Sequence, residues 1–322
     1  MNIARIRAAR GRIAGQVRRT PILTSPFLDQ IAGRRVLVKA EALQYTGSFK
    51  IRGAWSAVSA LDDAQRRRGV LAYSSGNHAQ GIAAAAGGHD VPAVIVMPRD
   101  APQLKIDSTR DLGADVVLYD RAGGESRETI GADLAERRGL TLIKPYDDPE
   151  VIAGQGTVGL ELAEDLPAEL RADVLVCCGG GGLTSGLALA LQAEAPGLRV
   201  RPVEPEGFDD VARSLIDGER RTVEHGHTSI CDAIVTPAPG ELTFPIMRDL
   251  CGPGLTVTDD DALFAMAQAA KRLKLVLEPG GAVALAAALT RREDITGETV
   301  VVVATGGNVE PAGLSHALDR FG

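Results

Sequence analysis

Aromatic residues are scarce in this chain: one Trp, four Tyr and six Phe, 3% of 322 residues. The core must therefore be aliphatic, and a ring platform for stacking nucleic-acid bases is not expected. Positive charge is not in excess. With 35 Lys and Arg against 42 Asp and Glu the net charge is −7, which argues against nucleic acid or an anionic membrane surface as partner. No apolar run reaches the length of a membrane span. The first ten residues lack the apolar core of a signal peptide, and their spacing predicts a helix with basic exposed positions. The four cysteines, Cys177, Cys178, Cys231 and Cys251, form no CxxC pair, so neither a zinc framework nor a redox motif is indicated. A reducing cytoplasm is the expected compartment. Repeats and low-complexity linkers are also lacking.

What is present is an ordinary globular balance, 45% hydrophobic and 24% charged, on a chain long enough for two domains. Short β-branched runs predict strands at Val36–Ala40, Val70–Tyr73, Ala93–Met97, Val116–Tyr119, Leu140–Ile143, Val174–Cys178, Arg199–Val203 and Val300–Ala304. Longer helical patterns lie between them, among them Ser48–Leu61, Asn77–Ala86, Pro149–Leu166, Gly182–Ala193 and Asp259–Leu273. Strands alternating with helices predict an α/β fold with mostly parallel sheets flanked by helices. Glycine-rich stretches fall just after strands, where open α/β sheets place ligands.

One such stretch is Thr46-Gly47-Ser48-Phe49-Lys50-Ile51-Arg52-Gly53-Ala54. Small and hydroxylated residues precede the lysine, and no acid sits within one helical turn before it. A lysine so placed is open to desolvation, which lowers its pKa and makes its amine a usable nucleophile. The plainer alternative is a surface lysine at a helix start.

Gly179-Gly180-Gly181-Gly182 follows a strand and opens a helix. Glycines let the backbone turn its N–H groups toward a ligand, and a helix N-terminus adds positive potential, so a phosphate cup is expected. The spacing fits neither a dinucleotide fingerprint nor a P-loop. A tight turn without ligand is the alternative, at the entropic cost of four consecutive glycines. Ser74-Ser75-Gly76-Asn77-His78-Ala79-Gln80-Gly81 offers hydroxyl and backbone donors suited to a carboxylate, beyond what helix capping needs. Thr305-Gly306-Gly307-Asn308, at a strand end, suits close approach of a flat ligand.

Together with Ile152-Ala153-Gly154-Gln155-Gly156-Thr157, these stretches resemble the fold-type II pyridoxal-phosphate enzymes, in the family's order and across nearly the whole chain. The nearest branch is the threonine and serine dehydratases, with serine racemase and 3-hydroxyaspartate dehydratase. The resemblance implies a two-domain fold like the tryptophan synthase β subunit, with a small domain at residues 69–147 inserted into a large one made of 1–68 plus 148–322. It implies that Lys50 forms a Schiff base with pyridoxal 5'-phosphate and that Phe49 packs near the ring. Asn77 would meet the phenolic oxygen, Gly179 to Gly182 the phosphate, and Thr305 the pyridine nitrogen, where serine is commoner in the family. Ser74, Ser75, Asn77 and His78 would surround the substrate carboxylate, and Ser75 is similar to the second acid/base of racemases. Thr236 would keep a substrate-facing hydroxyl, in a segment that departs from the family pattern at Ala233. Arg127 resembles an arginine that meets a distal carboxylate; a solvated helix residue paired with acids is the alternative.

The activity so implied is dehydration and deamination of a β-hydroxy amino acid, threonine or serine, to a 2-oxo acid and ammonia, by an ammonia-lyase. 3-Hydroxyaspartate dehydration and racemisation stay open beside it. A Mg²⁺ or Ca²⁺ site is implied at Glu204, the Phe208 carbonyl and Asp210, against an acidic solvated loop. A homodimer is a family expectation, and with the chain ending soon after Thr305, isoleucine feedback is not expected. Two readings from other classes remain: a nicotinamide oxidoreductase using the Gly179 region, and a cofactor-binding protein without turnover.

Overall fold

The computed structural model describes every residue except Ser75, Pro102, Arg121, Ala122, His225 and the side chain of Leu104. Among the described residues the strands are β1 (Ile22–Leu23), β2 (Arg35–Ala40), β3 (Val70–Tyr73), β4 (Ala93–Pro98), β5 (Asp115–Tyr119), β6 (Thr141–Leu142), β7 (Ala172–Cys177), β8 (Leu198–Pro205), β9 (Leu255–Val257) and β10 (Thr299–Ala304). They form a six-stranded sheet in the order β1-β2-β10-β7-β8-β9 and a four-stranded sheet in the order β5-β4-β3-β6. Every pairing is parallel except β1 with β2.

Strand β10 shows why the runs are continuous rather than alternating. It lies between β2 and β7, with Val301 opposite both Leu37 and Val174. Its Val300, Val302 and Ala304 face the core built on the alanine-rich helix Pro279–Thr290. Its Val301 and Val303 face the opposite core, against Leu183, Leu187 and Leu191 of the helix Gly182–Glu194. Helices cover both faces, so every position must be apolar.

The smaller sheet draws all its strands from residues 70–142, and the larger sheet draws none from that stretch. The helix Lys50–Ser59 is buried along nearly its whole length and packs against the helices Asn77–Gly87 and Pro149–Asp165. Close approach of two helix backbones needs glycine: a Cβ on Gly154 would strike the Arg52 carbonyl, and one on Gly156 would lie 2.8 Å from the Gly186 carbonyl. The Ile152–Thr157 motif therefore serves helix packing.

The eight strand runs read from sequence all form strands, with ends displaced by at most two residues. The sequence reading misses β1 and β9, which are too short to show alternation. It also misses short helices, including Asp210–Asp217 and Thr243–Leu250, each of about two turns. Among the described residues no helix is long and apolar enough to cross a membrane.

Candidate active site

The strand order decides which loops meet. Strands β2, β10 and β7 are adjacent and parallel, so the segments leaving their C-terminal ends lie side by side. Those segments carry Lys50, Thr305 and the four glycines. The first two are zipped together: Phe49 N donates to Thr305 O at 3.1 Å, and Gly307 N donates to Gly47 O at 2.9 Å. From the smaller sheet, the ends of β3 and β6 bring Ser74, Gly76, Asn77 and His78, and Lys144 to Asp147, to the same place. The result is a cavity of about 500 Å³.

Lys50 opens the helix Lys50–Ser59, and its Nζ donates to the Pro145 carbonyl at 2.9 Å. Its ammonium lies 5.2 Å from the centre of the Phe49 ring. Lys50 is partly accessible, but it opens onto the cavity rather than the outer surface. Burial lowers its pKa to about 8, against the opposing pull of Glu278. An amine with that pKa is about one-tenth unprotonated at pH 7, a far larger fraction than an ordinary lysine has.

The glycines form one end of the cavity. Gly181 has φ +89°, a left-handed conformation that suits glycine, and the helix starts at Gly182. Its first N–H groups have no intrahelical acceptor and carry the positive end of the dipole. The cup admits no side chains: a Cβ on Gly180 would strike the Tyr146 ring, and one on Gly179 would lie 2.9 Å from the Ile234 carbonyl. Thr243 Oγ1 donates to Gly180 O at 2.6 Å and fixes the turn from behind.

Asn77 and His78 open the helix Asn77–Gly87 and are buried. His78 Nε2 lies 3.0 Å from the Ile143 carbonyl, which can only accept, so Nε2 carries the proton. Burial, and then the Lys50 charge, push the imidazole down to about 3, so it is neutral. Its Nδ1 is left as an acceptor without a partner, and Thr236 Oγ1 is also buried without one; both residues line the cavity. Ser74 lines it too, and its Oγ accepts from Gly76 N at 3.2 Å. Ser75 lies outside the described residues.

Arg127 lines the wall with its guanidinium 5.4 Å from the centre of the Tyr73 ring, and it is paired with Glu128 at 2.8 Å. Glu204 and Asp210 sit apart from the cavity lining, 0% and 1% exposed. The Glu204 carboxylate accepts from Val211 N at 2.9 Å and Ala212 N at 2.7 Å. Burial and the neighbouring Asp210 push Glu204 well above the usual carboxylate range, and burial pushes Asp210 up to about 7. Asp210 Oδ2 has no partner among the described residues. Phe208 N donates to Pro205 O at 3.0 Å, in the turn between the two acids. Among the described residues no three His, Cys, Asp or Glu side chains converge; the expected set holds two carboxylates and a carbonyl.

Two parts of the site escape the sequence reading. Glu278 lines the cavity, accepts from Asn77 Nδ2 at 2.5 Å, and is pushed up to about 7 by burial. Its signal is an acid set between the apolar Leu275–Leu277 run and Pro-Gly-Gly. The other is Ile143–Asp147, whose carbonyls at 143 and 145 hold His78 and Lys50. Backbone roles leave no signature in side-chain types.

These residues fit a flat phosphorylated aldehyde. The amine, the glycine cup and the unpartnered acceptors face one space, and Thr305 with its hydroxyl lines it. A family model described as pyridoxal-phosphate dependent enzyme matches residues 13–306. The chain is 47% identical to an L-threo-3-hydroxyaspartate ammonia-lyase of a Pseudomonas species, over 93% of this chain and 92% of that one. It is 40% identical to a serine racemase of Schizosaccharomyces pombe, over 98% and 96%. The solved structure of maize serine racemase superposes with a TM-score of 0.91 at 37% identity, covering 99% of this chain and 97% of that one. With the family model spanning most of its length, the chain belongs to the pyridoxal-phosphate dependent enzymes, within the fold-type II class that the strand order and the Lys50 motif describe.

Proposed function

We propose that this enzyme removes water and then ammonia from a β-hydroxy amino acid, leaving a 2-oxo acid. The observation that carries the reading is the Lys50 amine, its pKa lowered to about 8, on the floor of a cavity shared with the glycine cup and Asn77. When bound, pyridoxal phosphate supplies an electron sink for charge developing at the substrate's α-carbon. Gly179 to Gly182 would hold its phosphate by backbone N–H groups, Asn77 would donate to its phenolic oxygen, and Phe49 would pack beside it. Thr305 would present a neutral hydroxyl to the ring nitrogen.

Lys50 would anchor the group, and its amine would take the substrate's α-proton; a base with a pKa near the working pH is suited to this. The β-hydroxyl leaves as water, and hydrolysis of the remaining enamine gives ammonia and the 2-oxo acid. Ser74, Ser75, Asn77 and the neutral His78 surround the α-carboxylate. In this reading residues 69–147 form the substrate-side lobe and 1–68 plus 148–322 the cofactor-binding body, which agrees with the division of strands between the sheets.

A dicarboxylic substrate is favoured over threonine and serine by one observation: of the cations that line the cavity beside Lys50, Lys144 has no acidic partner among the described residues, whereas Lys105, Arg127 and Arg220 each have one. The same reading assigns Mg²⁺ or Ca²⁺ to Glu204, the Phe208 carbonyl and Asp210, supported by two buried carboxylates, with Asp210 close enough to raise the proton affinity of Glu204. It also includes a homodimer in the cytoplasm.

The test is a substrate panel. The purified protein should show a visible band lost on borohydride treatment, with the label on Lys50. Serine, threonine and 3-hydroxyaspartate are then assayed for ammonia and 2-oxo acid, with and without chelator. A band without turnover on any amino acid would sink the proposal.

A further inference from the structure

Five cationic side chains line the cavity, and four of them are engaged. Lys50 donates to the Pro145 carbonyl. Lys105 pairs with Asp232 at 3.1 Å, Arg127 with Glu128 at 2.8 Å and Arg220 with Glu241 at 3.5 Å. The fifth is Lys144. Among the described residues it makes no hydrogen bond and no ion pair, and its side chain is exposed.

Its backbone is the opposite of free. Ile143, just before it, holds His78 through its carbonyl at 3.0 Å, and Pro145, just after it, holds the Lys50 ammonium at 2.9 Å. Tyr146 is seated against Gly180 and lies 2.9 Å, by its Cα, from where a Cβ on Gly182 would sit. Asp147 Oδ1 accepts from Leu242 N at 2.8 Å. Lys144 is thus a flexible cationic arm on a backbone tied to the amine, the imidazole and the glycine cup.

The anions that enter this cavity can be apportioned. The cofactor phosphate has the glycine cup and the helix N-terminus. The substrate α-carboxylate has Ser74, Asn77 and His78. A dicarboxylic substrate brings one more anion, and Arg127 is poorly suited to it, because the Glu128 carboxylate, bonded to the Arg127 Nε and itself lining the cavity, would repel a second carboxylate. Among the described residues no such acid stands on Lys144.

We propose that Lys144 receives the distal carboxylate of a dicarboxylic β-hydroxy amino acid and thereby selects it over serine and threonine. This rests on the elimination reading above and replaces Arg127 with Lys144 as the residue that sets specificity.

The experiment compares wild type, Lys144→Met, Lys144→Arg and Arg127→Met, each as cofactor-loaded enzyme, on 3-hydroxyaspartate and serine. Lys144→Met should lose about ten- to a hundredfold in kcat/KM on 3-hydroxyaspartate, the scale of one lost charge-assisted hydrogen bond, chiefly through KM. Its activity on serine should stay within about twofold, as for a contact serine does not make. Lys144→Arg should restore most of the loss, and the visible band should show unchanged cofactor retention in all variants. Equal losses on both substrates with weakened cofactor retention would assign Lys144 to the phosphate and overturn the proposal. A loss confined to Arg127→Met would overturn it in favour of that residue. If wild type eliminates from serine but not from 3-hydroxyaspartate, the specificity inference fails and the elimination reading stands; turnover of neither removes both.

Discussion

Asn77 donates its side-chain nitrogen to Glu278 Oε1 at 2.5 Å, while its Oδ1 accepts from Asn308 Nδ2 at 2.7 Å. A carboxylate on one side and an amide donor on the other leave only one orientation for the Asn77 amide. One N–H remains for the cavity. Glu278 and Asn308 are positioning residues in this arrangement, since they act through Asn77.

Removing Glu278 should therefore alter the cofactor's surroundings without removing any proposed cofactor contact. Glu278→Ala frees the amide to turn, and the visible band of the bound cofactor should shift, with activity down about ten- to a hundredfold, the range for losing a hydrogen bond to a charged group. Glu278→Gln keeps an acceptor and should fall between. An absorption spectrum identical to wild type in Glu278→Ala would refute the orienting role.

Lys50 gives a pH prediction. Its amine attacks only when unprotonated, and burial has lowered its pKa from 10.5 to about 8. Capture of the cofactor by apoenzyme should rise with pH and level off above about 8, falling about tenfold per unit below that as the unprotonated fraction falls. Stopped-flow absorbance on stripped protein measures it. A profile still rising steeply toward 10.5 would show that the amine is not desolvated. Lys50→Ala should abolish elimination with the unfolding midpoint little changed.

Gly180 tests the cup. A methyl group there meets the Tyr146 ring, so Gly180→Ala must displace that ring from the cavity end. Cofactor retention on dialysis should fall at least tenfold, while the apoenzyme's melting temperature moves by only a few degrees, as for a lost surface-loop contact. Adding Tyr146→Ala should recover part of the retention. Full retention in Gly180→Ala alone would show that the cup does not hold the phosphate.

Arg52 carries stability. It is fully buried two residues beyond Lys50, forked onto Glu41 at 2.8 Å through both Nε and Nη2, and bound to Glu161 at 2.7 Å. Burial works to raise the Glu41 carboxyl, yet the Arg52 guanidinium holds it below the usual range. A carboxyl with a depressed folded pKa contributes stability above its ordinary value of 4.5 and loses it as pH falls below that. Arg52→Ala leaves the fully buried Glu41 carboxylate without its ion-pair partner, while Glu161 keeps Lys39, and should cost about 3–5 kcal/mol. Urea denaturation at neutral pH checks this; a change below about 1 kcal/mol, the level of an exposed pair, would show the network to be incidental.

Much of this was legible in the chain. The β10 run Val300–Ala304 can only be a strand covered on both faces, because its residues are apolar without alternation and β-branched. Gly179 to Gly182, which line the cavity, stand out because consecutive glycines are entropically expensive and useful only where a backbone must come close. Lys50 stands out by the absence of an acid beside it. Such features depend on neighbours within a few positions, which the sequence lists directly.

The rest needed the tertiary structure. Which loops meet depends on β2, β10 and β7 being neighbours, and their sequence order says nothing of that. Glu278 lies 201 positions from Asn77 and Arg52 lies 109 from Glu161, so their burial and pairing exist only once the sheets are assembled. The sequence singled out Arg127 and passed over Lys144; the fold shows that Glu128 pairs with the first and that no acid among the described residues pairs with the second. Local backbone preference and apolar patterning are short-range properties and determine the elements. Charge pairing and desolvation depend on distance through space, and distance through space is set by the fold.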